Sequence, residues 1–284
     1  MKECMINAEK LFSVILLVYN NVHLLYDAIA SVLMQSYSAI ELIVVDDGSD
    51  MFPAEHINEY IKTHCKENLQ GFIVYRNPNN IGTVRSANCA LRYANGAYIK
   101  LLAADDALHD IDTLCHAAEV LELYPDSIVL GKVTKCDRDM HPLHDCHNSL
   151  MNKINYISSQ ELFRRLCIHN GILAGSVFFH RSFFEIYGYF DEKYRLLEDW
   201  PTWLRAARNG VSFVYIPFCA INYRANEGVS ATMNTYYLQD KKRVLEDIIT
   251  PARQQLGVWY VLARLSYSLI NSKLVRRVYK FISR

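Results

Sequence analysis

Ile43-Val44-Val45-Asp46-Asp47-Gly48-Ser49 and Ile99-Lys100-Leu101-Leu102-Ala103-Ala104-Asp105-Asp106 are two apolar runs that each end in an acidic doublet. Carboxylates are costly to place against a core, so the repetition points to a shared crevice at strand ends rather than to scattered surface charge. A third acidic pair, Glu198-Asp199 before Trp200, supplies a candidate base for such a crevice.

The segments around the doublets alternate in period. Phe12 to Val18 is a continuous apolar run, as expected of a strand buried on both faces of a parallel sheet. Leu25, Ile29, Val32 and Leu33 then share one helical face. Ile40 to Val45 reads as the second strand, Ala54 to Cys65 as a helix and Phe72 to Tyr75 as the third strand. Val84, Ala87, Leu91 and Ala94 form another helical stripe, with Asn95-Gly96 as its stop, and Ala97 to Leu102 is the fourth strand. The order β-α-β-α-β-α-β predicts a three-layer α/β/α fold with a mostly parallel central sheet and both doublets on its ligand-binding edge. Beyond it, Leu114, Ala118 and Leu121 mark a helix, Ser127 to Val133 a strand, and Lys135 to Asn155 a polar excursion. Ser158-Ser159-Gln160-Glu161 is a capping box, Gly171 to His180 reads as a strand, and Glu198 to Asn209 as a helix stopped by Gly210.

With 284 residues, 51% of them hydrophobic, the chain can bury one large core; its formal net charge of zero argues against a nucleic-acid binder that works by neutralising phosphates. Eight dispersed cysteines without a C-x-x-C pair, and no leader-like N-terminus, suit a cytoplasmic chain with reduced thiols. Cys136, His141, His144, Cys146 and His147 have no common zinc spacing and read as a surface loop.

The chain resembles glycosyltransferase family 2 enzymes of the GT-A fold from about Phe12 to Tyr223. The resemblance rests on Ser13 to Asn20, Ser31 to Tyr37, Glu41 to Ser49, Asn80-Ile81-Gly82 with Asn88, Gly96 to Ile99, and Leu196-Leu197-Glu198-Asp199-Trp200, in the family's order. It departs at Leu17-Val18, where members carry Pro-Thr, and at Ala103, where many carry the first Asp of Leu-Asp-x-Asp-Asp. The resemblance implies an inverting transfer from a nucleoside-diphosphate sugar, expected to be a UDP-sugar, to a hydroxyl of a glycan or lipid-linked acceptor, as in bacterial-type surface polysaccharide synthesis.

On that reading Asp106 and Asp105 hold a divalent Mn or Mg ion against the diphosphate, since hard cations prefer carboxylate oxygen. Asp47 accepts from the uracil ring, with Tyr19 near the base. Asn80, Gly82 and Arg85 belong to the donor-binding side, although Arg85 also suits a solvated helix face. Asp199 takes the acceptor's proton. Trp200 and Trp203 offer faces for a sugar, with core packing the alternative for at least one.

Residues 1–250 are read as the catalytic domain and 251–284 as a basic amphipathic helical tail. From Thr250 onward there is no acid, while Arg253, Arg264, Lys273, Arg276, Arg277, Lys280 and Arg284 carry positive charge. No run there reaches the ~18 apolar residues of a spanning helix. The pattern suits peripheral docking on an anionic inner membrane face, or packing on the domain or on a second subunit. Two other readings stay open: a catalytically inactive GT-A relative serving as a binding subunit, suggested by Ala103, and a flavodoxin-like phosphoacceptor domain. The latter would place acids after the first strand, where this chain has Tyr19-Asn20.

Overall fold

The computed structural model describes residues 10–146, 150–225 and 234–271. Its first half follows the predicted alternation: β1 (Phe12–Val18), α1 (Val22–Leu33), β2 (Ile40–Asp46), α2 (Ala54–His64), β3 (Leu69–Arg76), α3 (Thr83–Tyr93) and β4 (Tyr98–Ala103). β1 pairs in parallel with β2 and β4, in a register that sets Val18 beside Asp46 and Leu17 beside Ala103. The strand ends are thus level, and both acidic doublets leave the sheet on one edge.

The second half adds β5 (Ala107–Leu108), α4 (Thr113–Leu123), β6 (Ser127–Cys136), β7 (Pro142–Asp145), α5 (Met151–Ile154), α6 (Ser159–Ile168), β8 (Val177–His180), α7 (Ser182–Tyr187), α8 (Asp199–Arg208) and β9 (Ser212–Arg224). Then come α9 (Thr235–Val244), a π-helical turn over Leu245–Ile249, α10 (Arg253–Leu256) and α11 (Val258–Asn271). Among the described residues one sheet runs β3-β2-β1-β4-β8-β6-β9-β5, with β7 paired to β6. β8 is antiparallel to β4 and β6, while β9 runs parallel to β6.

Alternation along the strands divides the core. Val14 and Leu16 of β1 face a cluster with Leu25 and Ile29 of α1, Ile61 of α2 and Leu121 of α4. Ile15, Ile43 and Ile99 face the other cluster, with Leu91 of α3, Phe163 of α6, Phe184 of α7 and Leu204 of α8. Sheet and helices form the expected three layers.

Three local readings change. The Asn95-Gly96 stop is not a left-handed cap: α3 ends at Tyr93, and Gly96 is needed because a Cβ there would lie 2.5 Å from the Ser13 nitrogen. The strand expected from Gly171 is only Val177–His180, preceded by a 3₁₀ turn over Ala174–Ser176. The polar excursion is partly ordered: β7 hairpins onto β6, whose buried Cys136 closes the strand. Among the described residues no three His, Cys, Asp or Glu groups gather as metal ligands; His147 lies outside them.

The chain also keeps packing past Thr250. Ala252, Leu256 and Ala263 are buried in the same cluster as Leu162 and Phe163 of α6. Lys273, Arg276, Arg277, Lys280 and Arg284 lie outside the described residues.

Candidate active site

A cleft of about 410 Å³ opens at the strand-end edge, and Tyr19, Asp47, Asp105, Asp106, Glu198 and Asp199 all line it. That is the size of a small-molecule site. All three acidic pairs of the sequence therefore contribute to it, across some 150 residues of chain.

Asp47 follows β2. Its Oδ1 accepts from Asn77 Nδ2 (3.1 Å), the Ile81 N–H (2.9 Å) and the Ser86 hydroxyl (2.7 Å), and its Oδ2 from the Gly82 N–H (2.8 Å). Each carboxylate oxygen offers about two lone-pair positions, and Oδ2 has a single donor among these four, so one position on Oδ2 can still accept. Tyr19, 48% exposed, also lines the cleft. Asp46 is turned inward, accepting from the Ser49 N–H at 3.0 Å and lying 3.4 Å from Arg76 Nε.

Asn80, Gly82 and Arg85 do not line the cleft; Thr83 and Ser86 from the same segment do. Arg195 Nη2 donates to the Asn80 carbonyl at 3.0 Å and also to its side-chain oxygen. Gly82, at φ 92°, lets the Arg195 carbonyl and Cγ approach to where a Cβ would be only 2.6 Å away. Asn88 completes the latch, donating to the Phe190 carbonyl (2.9 Å) and accepting its N–H (3.1 Å). These residues tie α3 to the chain that carries Glu198-Asp199. Arg85 points away, 3.6 Å from Glu192.

The Asp105-Asp106 end is framed by residues that sequence reasoning missed. Arg224, the last residue of β9 and 2% exposed, donates its backbone N–H to Asp106 Oδ1 (3.0 Å) and Nε to the Asp105 carbonyl (2.9 Å), and reaches Asp27 at 2.7 Å. Lys100 of β4 is fully buried, donating to the carbonyls of Gly175 and Val177 with its ammonium 4.4 Å from the Phe178 ring centre. Burial brings Lys100 down to about 7 against the opposing pull of Asp106. Burial, then the Asp105 charge, pushes Asp106 up to about 8. Asp105 and Asp106 both line the cleft, and carboxylate oxygens are the hard donors that could hold a divalent cation beside a diphosphate.

Asp199 opens α8. Its Oδ1 accepts the Trp200 N–H (2.6 Å) and its Oδ2 Asn170 Nδ2 (2.7 Å). Burial raises its pKa, and those two bonds oppose the rise. Burial, then the Asp199 charge, pushes neighbouring Glu198 up to about 8. Both carboxyl groups are thus raised by burial in one site, so the pair resists carrying two negative charges together. Asp240 of α9, 2% exposed, accepts the N–H groups of Arg195, Leu196 and Leu197 and so fixes the approach to the pair. Trp200 borders the cleft with its indole N–H on the Leu166 carbonyl, whereas Trp203 is core, stacked on Phe179.

A curled, mostly parallel sheet with acids after its second and fourth strands is the architecture of GT-A glycosyltransferases. Staphylococcus aureus TarS 1–349, solved in complex with UDP-GlcNAc, superposes with a TM-score of 0.65 at 18% identity, covering 92% of this chain and 74% of that one. Mannosyltransferase PcManGT from Pyrobaculum calidifontis, in complex with GDP-Man and Mn²⁺, gives 0.62 at 17% identity over 99% and 81%. The profile of Glycosyl transferase family 2 matches residues 13–187, and the chain belongs to that family.

Among curated relatives, a PGL/p-HBAD biosynthesis glycosyltransferase of Mycobacterium tuberculosis is 25% identical over 98% of this chain and 94% of its own length. An uncharacterized protein, y4gI, of Sinorhizobium fredii is 33% identical over 54% of this chain. The chain spans 17% of y4gI and 22% of an uncharacterized glycosyltransferase of Rickettsia conorii.

Proposed function

We propose that this chain is an inverting glycosyltransferase that moves a hexosyl or N-acetylhexosaminyl unit from a UDP-sugar to a hydroxyl of a glycan or lipid-linked acceptor in surface polysaccharide synthesis. The observation that carries the reading is the convergence of Asp47, Asp105, Asp106 and Asp199 on one cleft. Asp47 Oδ2 receives the uracil N–H, beside Tyr19. Asp106, with Asp105, would hold a Mn or Mg ion, whose positive charge favours departure of the diphosphate. Asp199 takes the proton of the acceptor hydroxyl as its oxygen bonds to the anomeric carbon and the bond to the diphosphate breaks; one displacement inverts the configuration. TarS with UDP-GlcNAc and PcManGT with GDP-Man and Mn²⁺ support a nucleotide-sugar donor and a metal.

The described part of the tail supports peripheral docking on the cytoplasmic face of an anionic membrane. Val258, Val261, Leu262 and Leu265 of α11 are 43% to 69% exposed, and five basic residues follow Asn271 in the sequence. Among the described residues no helix is long and apolar enough to cross a membrane.

The test is a panel of UDP- and GDP-sugars assayed for turnover with Mn²⁺ and with excess chelator. Metal-dependent release of UDP supports the reading, and faster turnover of GDP-sugars overturns the choice of base. Ala103 in the metal-site segment favours the inactive-relative alternative, which predicts UDP binding with no turnover.

A further inference from the structure

A second cavity, of about 480 Å³, adjoins the cleft, and the two share His169, Asn170 and Leu173 as a common wall. Asp47, Asp105 and Asp106 border only the first. Asn170 stands in that wall with its two ends in different states. Its Nδ2 donates to Asp199 Oδ2 at 2.7 Å, while its Oδ1 is buried and has no donor among the described residues. Buried acceptors without a donor are rare, and one at the junction of two cavities marks where a ligand hydroxyl can donate.

An in-line displacement supplies the direction. The diphosphate leaves at the Asp105-Asp106 end, so the attacking oxygen must arrive from the Asp199 side. The cavity on that side is bordered by Lys132 of β6, Tyr215 of β9, Met151 of α5 and Ser176, with no acid lining it. A ring face, a thioether and one ammonium match a sugar ring that is neutral or anionic, not cationic.

Resting on the transferase reading, we propose that this second cavity is the acceptor subsite, and that it holds a neutral or anionic glycosyl unit whose hydroxyl reaches Asp199 past Asn170. The hydroxyl proton passes to Asp199, the oxygen forms the new glycosidic bond, and the anomeric carbon's bond to the diphosphate breaks with its electron pair leaving on the nucleoside diphosphate. Asn170 Nδ2 orients the base, and its Oδ1 accepts from a hydroxyl of the incoming sugar.

The experiment uses the full chain loaded with UDP and Mn²⁺, and reads binding of octyl glucoside, octyl N-acetylglucosaminide and octyl glucuronide by saturation-transfer NMR. At least one should bind the wild type, and Lys132→Ala and Tyr215→Ala should each weaken it at least fivefold while UDP affinity stays within twofold. Retained UDP affinity shows that the variants are folded. Glycoside binding unchanged in both variants, or absent from the wild type, overturns the subsite. Sugar-nucleotide turnover by the wild type, measured alongside, separates the two proposals: its absence refutes the transferase reading, whereas turnover with unchanged glycoside binding in the variants refutes only the placement of the acceptor.

Discussion

Replacing Gly82 by alanine tests the latch between the donor side and the base. Gly82 sits at φ 92°, donates its N–H to Asp47 Oδ2 at 2.8 Å, and faces the carbonyl and Cγ of Arg195 at positions 2.6 Å from a new Cβ. Holding an alanine at that φ costs about 1–3 kcal/mol, and overpacking against an immobile neighbour about 1–3 kcal/mol more. Gly82→Ala should therefore lose roughly 2–6 kcal/mol, a large share of the ~5–15 kcal/mol that holds a domain together. Urea titration followed by far-UV circular dichroism measures it. Adding Arg195→Ala removes the Cγ contact but not the carbonyl, so the double variant should recover part of the loss and show coupling between the two sites. A Gly82→Ala protein within about 1 kcal/mol of wild type, against the strain expected at positive φ, would show that the latch is not as described.

Four further outcomes follow from the same geometry. Asn170→Ala removes a bond that favours ionised Asp199, so the acid limb of the kcat/KM profile should move to higher pH; an unmoved limb separates Asn170 from the base. Glu198 is raised to about 8 from an ordinary 4.5, so its contribution to stability is complete below pH 4.5 and fades as pH rises through about 8. Glu198→Gln cannot ionise, so its Tm should gain on wild type across that window, and a gap independent of pH would argue against a buried, protonated Glu198. Ending the chain at Thr250 strips Ala252, Leu256 and Ala263 from the core and should lower Tm. Ending it at Asn271 should keep Tm while releasing the protein from anionic vesicles, each lost basic residue removing about 1 kcal/mol of surface attraction; retained sedimentation refutes membrane docking by the basic segment.

The legible half of the fold is the half built from local signals. β1, β2 and β4 are apolar runs because both of their faces are covered, and α1 and α3 show one buried stripe each, so period alone finds them. β9 carries Pro217 and mixes half-exposed positions with buried ones, so no clean alternation announces it, and with β9 went Arg224. Lys100, Arg224 and Asp240 owe their roles to partners 43 to 197 residues away, which no spacing rule reaches. The three acidic pairs were visible because charge after an apolar run is itself anomalous. Asn80, Gly82 and Arg85 illustrate the opposite case. Their pattern is a real signal, and in this structure it corresponds to packing against Arg195 and pairing with Glu192, outside the lining of the cleft.

The most direct measurement is turnover by Asp199→Asn beside its UDP affinity. The substitution keeps the shape of the side chain, and Asn170, whose Oδ1 has no donor among the described residues, can turn its amide to meet the new NH₂ group. Loss of general-base help should reduce kcat by about 10²- to 10⁴-fold while the Kd for UDP stays within about twofold. Turnover within a few-fold of wild type would contradict the account, because the proton would then be leaving through some other group.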